Sequence, residues 1–146
     1  MPNADNKPSP SSPIEILLVD DHPQVRKLLC EMIKTYDDLC IVGEAVNGEE
    51  AVLLASKLKP AAVVMDVHLP VLNGVPATTF IKMHNPFIAV IGLTAGGPQE
   101  DERVMIIAGA AVVINKSNVL NALRPAILNA VEHVKNCQLE SSKLFA

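Results

Sequence analysis

The sequence predicts a doubly wound α/β domain, built from five βα units around a parallel sheet. Two patterns and one bulk property carry that expectation. From Ile14 onward, short apolar runs alternate with stretches of helical period. Several of those runs are apolar throughout, as strands covered on both faces must be. Apolar residues make up 49% of the chain and charged ones 19%, the balance of a globular α/β protein rather than a disordered or fibrous one. The 146 residues fit one ordinary domain, large enough to bury a core without disulfides or metal staples.

The opening stretch, MPNADNKPSPSSP, is polar and proline-rich, with neither the basic residues nor the apolar run of a signal peptide. Residues 1–13 therefore read as a disordered tail. The first strand is expected at Glu15–Val19 and its helix over Gln24–Lys34, where Val25, Leu28, Leu29, Met32 and Ile33 share a core-facing stripe. The second strand, Cys40–Ala45, precedes a helix whose stripe is Ala51, Val52, Leu54, Ala55 and Leu58. The third unit is Ala62–Met65 with a helix from Val75 to Met83. The fourth is Ile88–Leu93 with a helix from Pro98 to Ala108, proline suiting a first turn. The fifth is Val112–Ile114 with a helix from Val119 to Val134, capped by Asn118 or Ser117. Pro125 lies inside that helix, removes one backbone hydrogen bond, and is expected to kink it or delay its start. The domain thus spans residues 14–136. Residues 137–146 lack a clear period and read as a frayed helix end or the start of a linker.

A net charge of -4 gives no general attraction for nucleic acid or an anionic membrane. Cys30, Cys40 and Cys137 are odd in number and match no metal-ligand spacing. They read as reduced thiols of a cytosolic protein, two packed in the core and Cys137 exposed. No apolar run approaches the roughly 20 residues that a membrane-spanning helix needs. Neither G-x-G-x-x-G nor a P-loop is present, which disfavours a nucleotide-binding protein.

In sheets of this kind ligands gather outside the carboxyl ends of the strands. The residues that follow the strands are Asp20 and Asp21, then Asp66, Thr94 and Lys116. Each has a plain structural explanation when taken singly. Asp21 serves as a helix cap, Asp66 opens a turn before HLPVLNG, Thr94 caps the fourth helix, and Lys116 is a solvated charge. All of them at the same end of successive strands point instead to chemistry. Neighbouring strands lie about 4.8 Å apart, so adjacency of the first and third would bring Asp66 to the aspartate pair. Three crowded carboxylates suit Mg²⁺ with several waters retained. The set supports phosphoryl transfer to a carboxylate: Asp66 as nucleophile, with Lys116 and Thr94 holding phosphoryl oxygens.

The motifs ILLVDDHP, VVMDVHLPVLNG, IGLTA and GAAVVINKS, in that order, resemble the receiver domains of two-component response regulators, over about Ile14 to Val134. DDHP together with IVGEAVNGEEAV is most similar to the branch whose members usually carry a LuxR-type DNA-binding domain. The resemblance implies a flavodoxin-like (βα)5 fold with strand order 2-1-3-4-5. It implies that Asp66 accepts phosphate from a sensor histidine kinase or phosphotransfer protein. Asp21 would bind Mg²⁺ directly, Asp20 through water, and the backbone carbonyl of His68 would add a ligand beside Asp66. Thr94 and Lys116 would engage the phosphoryl group, and Pro70 and Gly74 would shape the loop that follows Asp66. A receiver is a cytoplasmic switch that assists its own phosphorylation and dephosphorylation and turns over no separate substrate. Its output would pass through the face of the fourth helix, fifth strand and fifth helix, to a partner protein or a second copy.

Two departures stand out. Val113 occupies the place of an aromatic common in the family, and Ser117 follows the lysine where proline or aspartate is frequent. The length leaves no DNA-binding domain, so the chain itself would not bind DNA; its output is a partner, or it is a fragment. His22 is expected in the first helical turn, and His84 and His133 at the surface. Val104, Met105, Ile106 and Ile107 cannot all face the core, so Ile106 is expected to join Val113 in an exposed apolar signalling patch. Two rival classes remain in view. An aspartyl-phosphate phosphatase is disfavoured because its nucleophile commonly lies in DxD, not DD. A receiver-like binding module that signals without phosphate draws support from Val113.

Overall fold

The computed structural model describes residues 12–96 and 99–144. Strands and helices alternate along them: β1 (Ile14–Val19), α1 (Pro23–Lys34), β2 (Leu39–Ala45), α2 (Gly48–Leu58), β3 (Ala62–Asp66), α3 (Gly74–His84), β4 (Ala89–Thr94), α4 (Gln99–Ala108), β5 (Val112–Asn115) and α5 (Val119–Leu144). The sheet is parallel in the order β2-β1-β3-β4-β5, as the family resemblance implies. Residues 1–11 and Pro98 lie outside the described residues, and with them the expected disordered tail and the proline in the first turn of α4.

Alternation along the strands divides the core into two layers. Ile16, Leu18, Val64, Ile91, Leu93 and Ile114 point to α1 and α5, where Leu29, Ile33, Leu123 and Ile127 meet them. Leu17, Val19, Val63, Met65 and Val90 point the other way, to Ala51 and Ala55 of α2, Ala77 and Ile81 of α3, and Met105 of α4. Small alanines on α2 and α3 let those helices lie close to the sheet.

Several local expectations shift. The buried stripe of α1 is Leu29, Cys30 and Ile33, so Leu28, well over a quarter turn away, is exposed. Cys30 is the one core thiol; Cys40 is exposed with Cys137. Asn115, not Ser117 or Asn118, supplies the capping side chain at the last helix. It accepts from the Ser117 amide and starts a 3-10 turn, Lys116–Asn118, that runs into α5. That helix continues through Pro125 without a break, because Pro125 is on its exposed side, where the carbonyl left free can face water. It also carries residues 137–144 as further helical turns, largely exposed. Among the described residues no helix is long and apolar enough to cross a membrane.

Candidate functional site

The order of the strands assembles the site. β1 and β3 are neighbours, as are β3 and β4, and β4 and β5, so the residues just past Val19, at Asp66, at Thr94 and just past Asn115 share one rim. The Asp20 amide donates to the Ala45 carbonyl (3.1 Å) and the Val67 amide to the Leu93 carbonyl (3.0 Å), extending the sheet's hydrogen bonding to its carboxyl edge. The aspartates therefore stand on the sheet's rigid end rather than on free loops.

Asp20 is fully buried. Its Oδ1 accepts from the His22 amide (2.9 Å), and its Oδ2 forms an ion pair with Lys116 Nζ at 2.9 Å. Asp66 is also buried: Oδ1 accepts from the His68 amide (3.2 Å) and Oδ2 from Lys116 Nζ (3.0 Å). Lys116 thus reaches two carboxylates from the end of β5. Burial pushes the Asp66 carboxyl up from its ordinary value; the hydrogen bond and charge of Lys116 work against that, the charge of Asp20 works with it, and the shift remains upward. For Lys116 burial works downward, but its contacts with Asp20 and Asp66 outweigh it and raise its value.

Three carboxylates against one ammonium leave two negative charges on the rim when all are ionised. One ligand atom each from Asp20, Asp21, His22 and Asp66 lies within 4.8 Å of the others. Asp21 Oδ1 and Thr94 Oγ1 are buried without a hydrogen-bond partner, and Asp20 Oδ2 has only its ion pair with Lys116. Buried polar atoms are rarely left so, and here they converge on one place. The donor set fits a hard divalent cation beside an anion: carboxylate oxygens on one side, and an ammonium and a hydroxyl on the other.

The loop from β3 to α3 is tightly constrained. Gly74 packs on it so closely that a Cβ would sit 2.2 Å from the Asp66 carbonyl oxygen, and the Gly74 amide donates to the Val67 carbonyl (2.9 Å). Between them Val71 takes a φ of 67°, an outlier for a β-branched side chain, while the Leu72 amide bonds back to the Pro70 carbonyl (2.7 Å) in a γ-turn. The His68 ring leaves the rim, and its Nε2 lies 2.8 Å from Asp101 Oδ2 in the first turn of α4. On the other flank Gly96 has a φ of 90°, a conformation that disfavours a side chain there.

Asp20, Asp21, Asp66, Thr94 and Lys116 are all brought to the rim. His22 is not within the first turn of α1 but at its N-cap, with its ring turned to the acids. Neither this nor the His68–Asp101 contact was read from the sequence; the only signal for His22 was its place directly after the aspartates. On α4, Ile106 is exposed and Ile107 more so, at 75%. Val113 instead is half-buried against the α2–α4 side of the core, where Gly92 leaves room for it and Met105. A separate groove of about 240 Å³ between α2 and α3, lined by Val52, Phe80 and His84 among others, opens at the opposite edge of the sheet.

The fold is thus a doubly wound α/β sheet that carries an acid cluster and a lysine together at its carboxyl edge. Residues 16–128 match the response regulator receiver domain family, and the chain belongs to it. The response regulator GacA of Pseudomonas protegens is 38% identical over 114 residues, 78% of this chain and 54% of GacA. A LuxR-family two-component response regulator from Aurantimonas sp. SI85-9A1 has a crystal structure similar at a TM-score of 0.79 and 30% identity, covering 84% of this chain and 87% of that one. A chain of the CheX-CheY-BeF3-Mg complex from Borrelia burgdorferi is similar at a TM-score of 0.69 and 25% identity, covering 81% and 89%. The chain spans about half the length of the curated relatives it matches.

Proposed function

We propose that this receiver is a phosphorylation-controlled switch in which Asp66 takes a phosphoryl group from a sensor histidine kinase or a phosphotransfer protein. The observation that carries this reading is the buried Asp66 carboxylate at the tip of β3, held by Lys116 and within ligand distance of two further aspartates. An Asp66 oxygen forms the new bond to phosphorus as the phosphorus–nitrogen bond breaks and its electron pair leaves with the imidazole. Lys116 and the unpartnered Thr94 hydroxyl hold phosphoryl oxygens. Asp21, Asp66 and the His68 carbonyl would hold Mg²⁺, with Asp20 acting through water. When bound, the ion withdraws negative charge that develops on the phosphoryl oxygens.

The domain assists its own phosphorylation and dephosphorylation and turns over no separate substrate. Drawing Thr94 and Lys116 onto the phosphoryl group biases an equilibrium between two conformations, read on the face of α4, β5 and α5 around Ile106 and Val113. The output is a partner protein or a second copy, and the cytoplasm is the compartment in which kinase and output meet. Beryllofluoride with Mg²⁺ stands in for the phosphoryl group, and amide NMR follows it in wild type and Asp66→Ala. Shifts at Asp66, Thr94 and Lys116 that spread to Val104–Val113 and vanish in the variant are expected. Shifts confined to the rim would mean an uncoupled output, and none at all would sink the phosphoswitch.

A further inference from the structure

Past the phosphoryl acceptor, one side chain at the rim has no role in that reading. His22 is the N-cap residue of α1, yet its side chain makes no capping hydrogen bond. The ring turns back instead. Nδ1 shares a hydrogen bond of 3.3 Å with Asp20 Oδ1 and lies 3.2 Å from Asp21 Oδ1.

Those contacts do not complete either carboxylate. Asp21 Oδ1 has no hydrogen-bond partner although it is buried, and Oδ2 of the fully buried Asp20 has the Lys116 ammonium beside it at 2.9 Å. Lys116 occupies the other flank, against Asp20 Oδ2 and Asp66 Oδ2, so it does not fill the space between Nδ1 and Asp21. The 3.2 Å separation of Nδ1 from Asp21 Oδ1 is that of ligand atoms adjacent around one ion. Ligands about 2.1 Å from a shared centre stand roughly 3.0–3.4 Å from each other in octahedral or tetrahedral arrangement. The ring is 64% exposed, so its far nitrogen stays in water and an ion can enter without any part of the core opening.

We propose that His22 Nδ1 is a ligand of the rim cation, making it a mixed oxygen–nitrogen site that holds Mn²⁺ or Co²⁺ more tightly than Mg²⁺. The inference rests on reading the rim as a cation site. Mg²⁺ prefers oxygen and keeps its waters, whereas imidazole adds affinity for the first-row transition ions. A site of carboxylates alone would discriminate far less. Phosphorylation in this protein would then respond to which divalent ion occupies the rim.

The test is calorimetric titration of the intact chain with MnCl₂, CoCl₂ and MgCl₂, in wild type, His22→Gln and His22→Ala. Glutamine can still donate a hydrogen bond to Asp20 but is a poor ligand, so it separates coordination from simple contact. Wild type is expected to bind Mn²⁺ and Co²⁺ at least about tenfold tighter than Mg²⁺, and both variants to lose about tenfold for those two ions and much less for Mg²⁺. Imidazole proton signals of His22 should shift strongly in the Co²⁺ complex. Equal losses for all three ions, or no loss in His22→Gln, would overturn the assignment while leaving the acid cluster as a cation site. Absence of any divalent binding to wild type would instead sink the cation site itself, and the proposed function with it.

Discussion

Two acid–base clusters sit on this fold and follow opposite logic. At the rim, Asp20 and Asp66 are buried and share one lysine, with Asp21 adding a third carboxylate. Away from it, Asp38 before β2 meets Arg124 of α5 one to one, Nε donating to Oδ1 at 3.2 Å, with the guanidinium stacked over the Tyr36 ring at 5.3 Å. The second pair is balanced, directional and partly exposed, and joins α5 to the turn that leads into β2. The first is unbalanced and leaves polar atoms unpartnered. Structure is held by charges that satisfy one another; a site is recognised by charges that do not.

The comparison breaks most sharply at Lys116. Lys116→Met would leave Asp20 and Asp66 facing each other without a counter-ion, and should destabilise the fold by about 2–3 kcal/mol, near the range for orphaning a buried charge. Urea unfolding measures this. Adding a divalent cation should restore part of the loss, since it replaces the missing positive charge; a variant as stable as wild type without cation would mean the rim is hydrated and not strained.

A smaller effect, of opposite sign, is expected at Asp66. Its raised pKa means that ionisation costs the folded state more than the unfolded one. Stability is therefore complete below the ordinary carboxylate pKa and falls as pH rises through the higher folded value. Asp66→Asn should remove that penalty and raise stability at pH 7, because burial and Asp20 outweigh Lys116. It should abolish phosphate acceptance at the same time. Unchanged or lower stability at pH 7 would show that Lys116 fully compensates the charge.

How much of this was legible beforehand follows from the distances involved along the chain. All five strands and the rim residues could be read because apolar runs mark strands and topology places their ends together. Leu28 misled because it flanks the true stripe, and periodicity fixes that a helix has a buried face better than the phase of that face; Cys30 took the place assigned to it. The partnership of His68 with Asp101 joins residues 33 apart, and that of Arg124 with Asp38 residues 86 apart. Helix docking sets both, and no local pattern encodes docking. Val113 lies where a strand's alternation and a neighbouring glycine decide its burial, so the sequence named the position but not its half-buried packing.

The smallest effect, at Asp38, completes the contrast. Hydrogen bonding to Arg124 holds its carboxyl below the ordinary carboxylate value, against a small opposing effect of burial. Stability from this pair is thus present above the unfolded pKa, roughly 3.9, and is lost as pH falls through the lower folded value. Asp38→Asn should lower stability at pH 7, only slightly because the pair is partly exposed and screened by water and salt. Urea unfolding of wild type, Asp66→Asn and Asp38→Asn from pH 7 downward should show two curves on either side of wild type. The Asp66 difference should close first, as pH drops through its raised value, and the Asp38 difference only below about pH 4. If both differences had the same sign, or closed together, the two clusters would be one kind of ion pair, and unbalanced charge would not distinguish the rim.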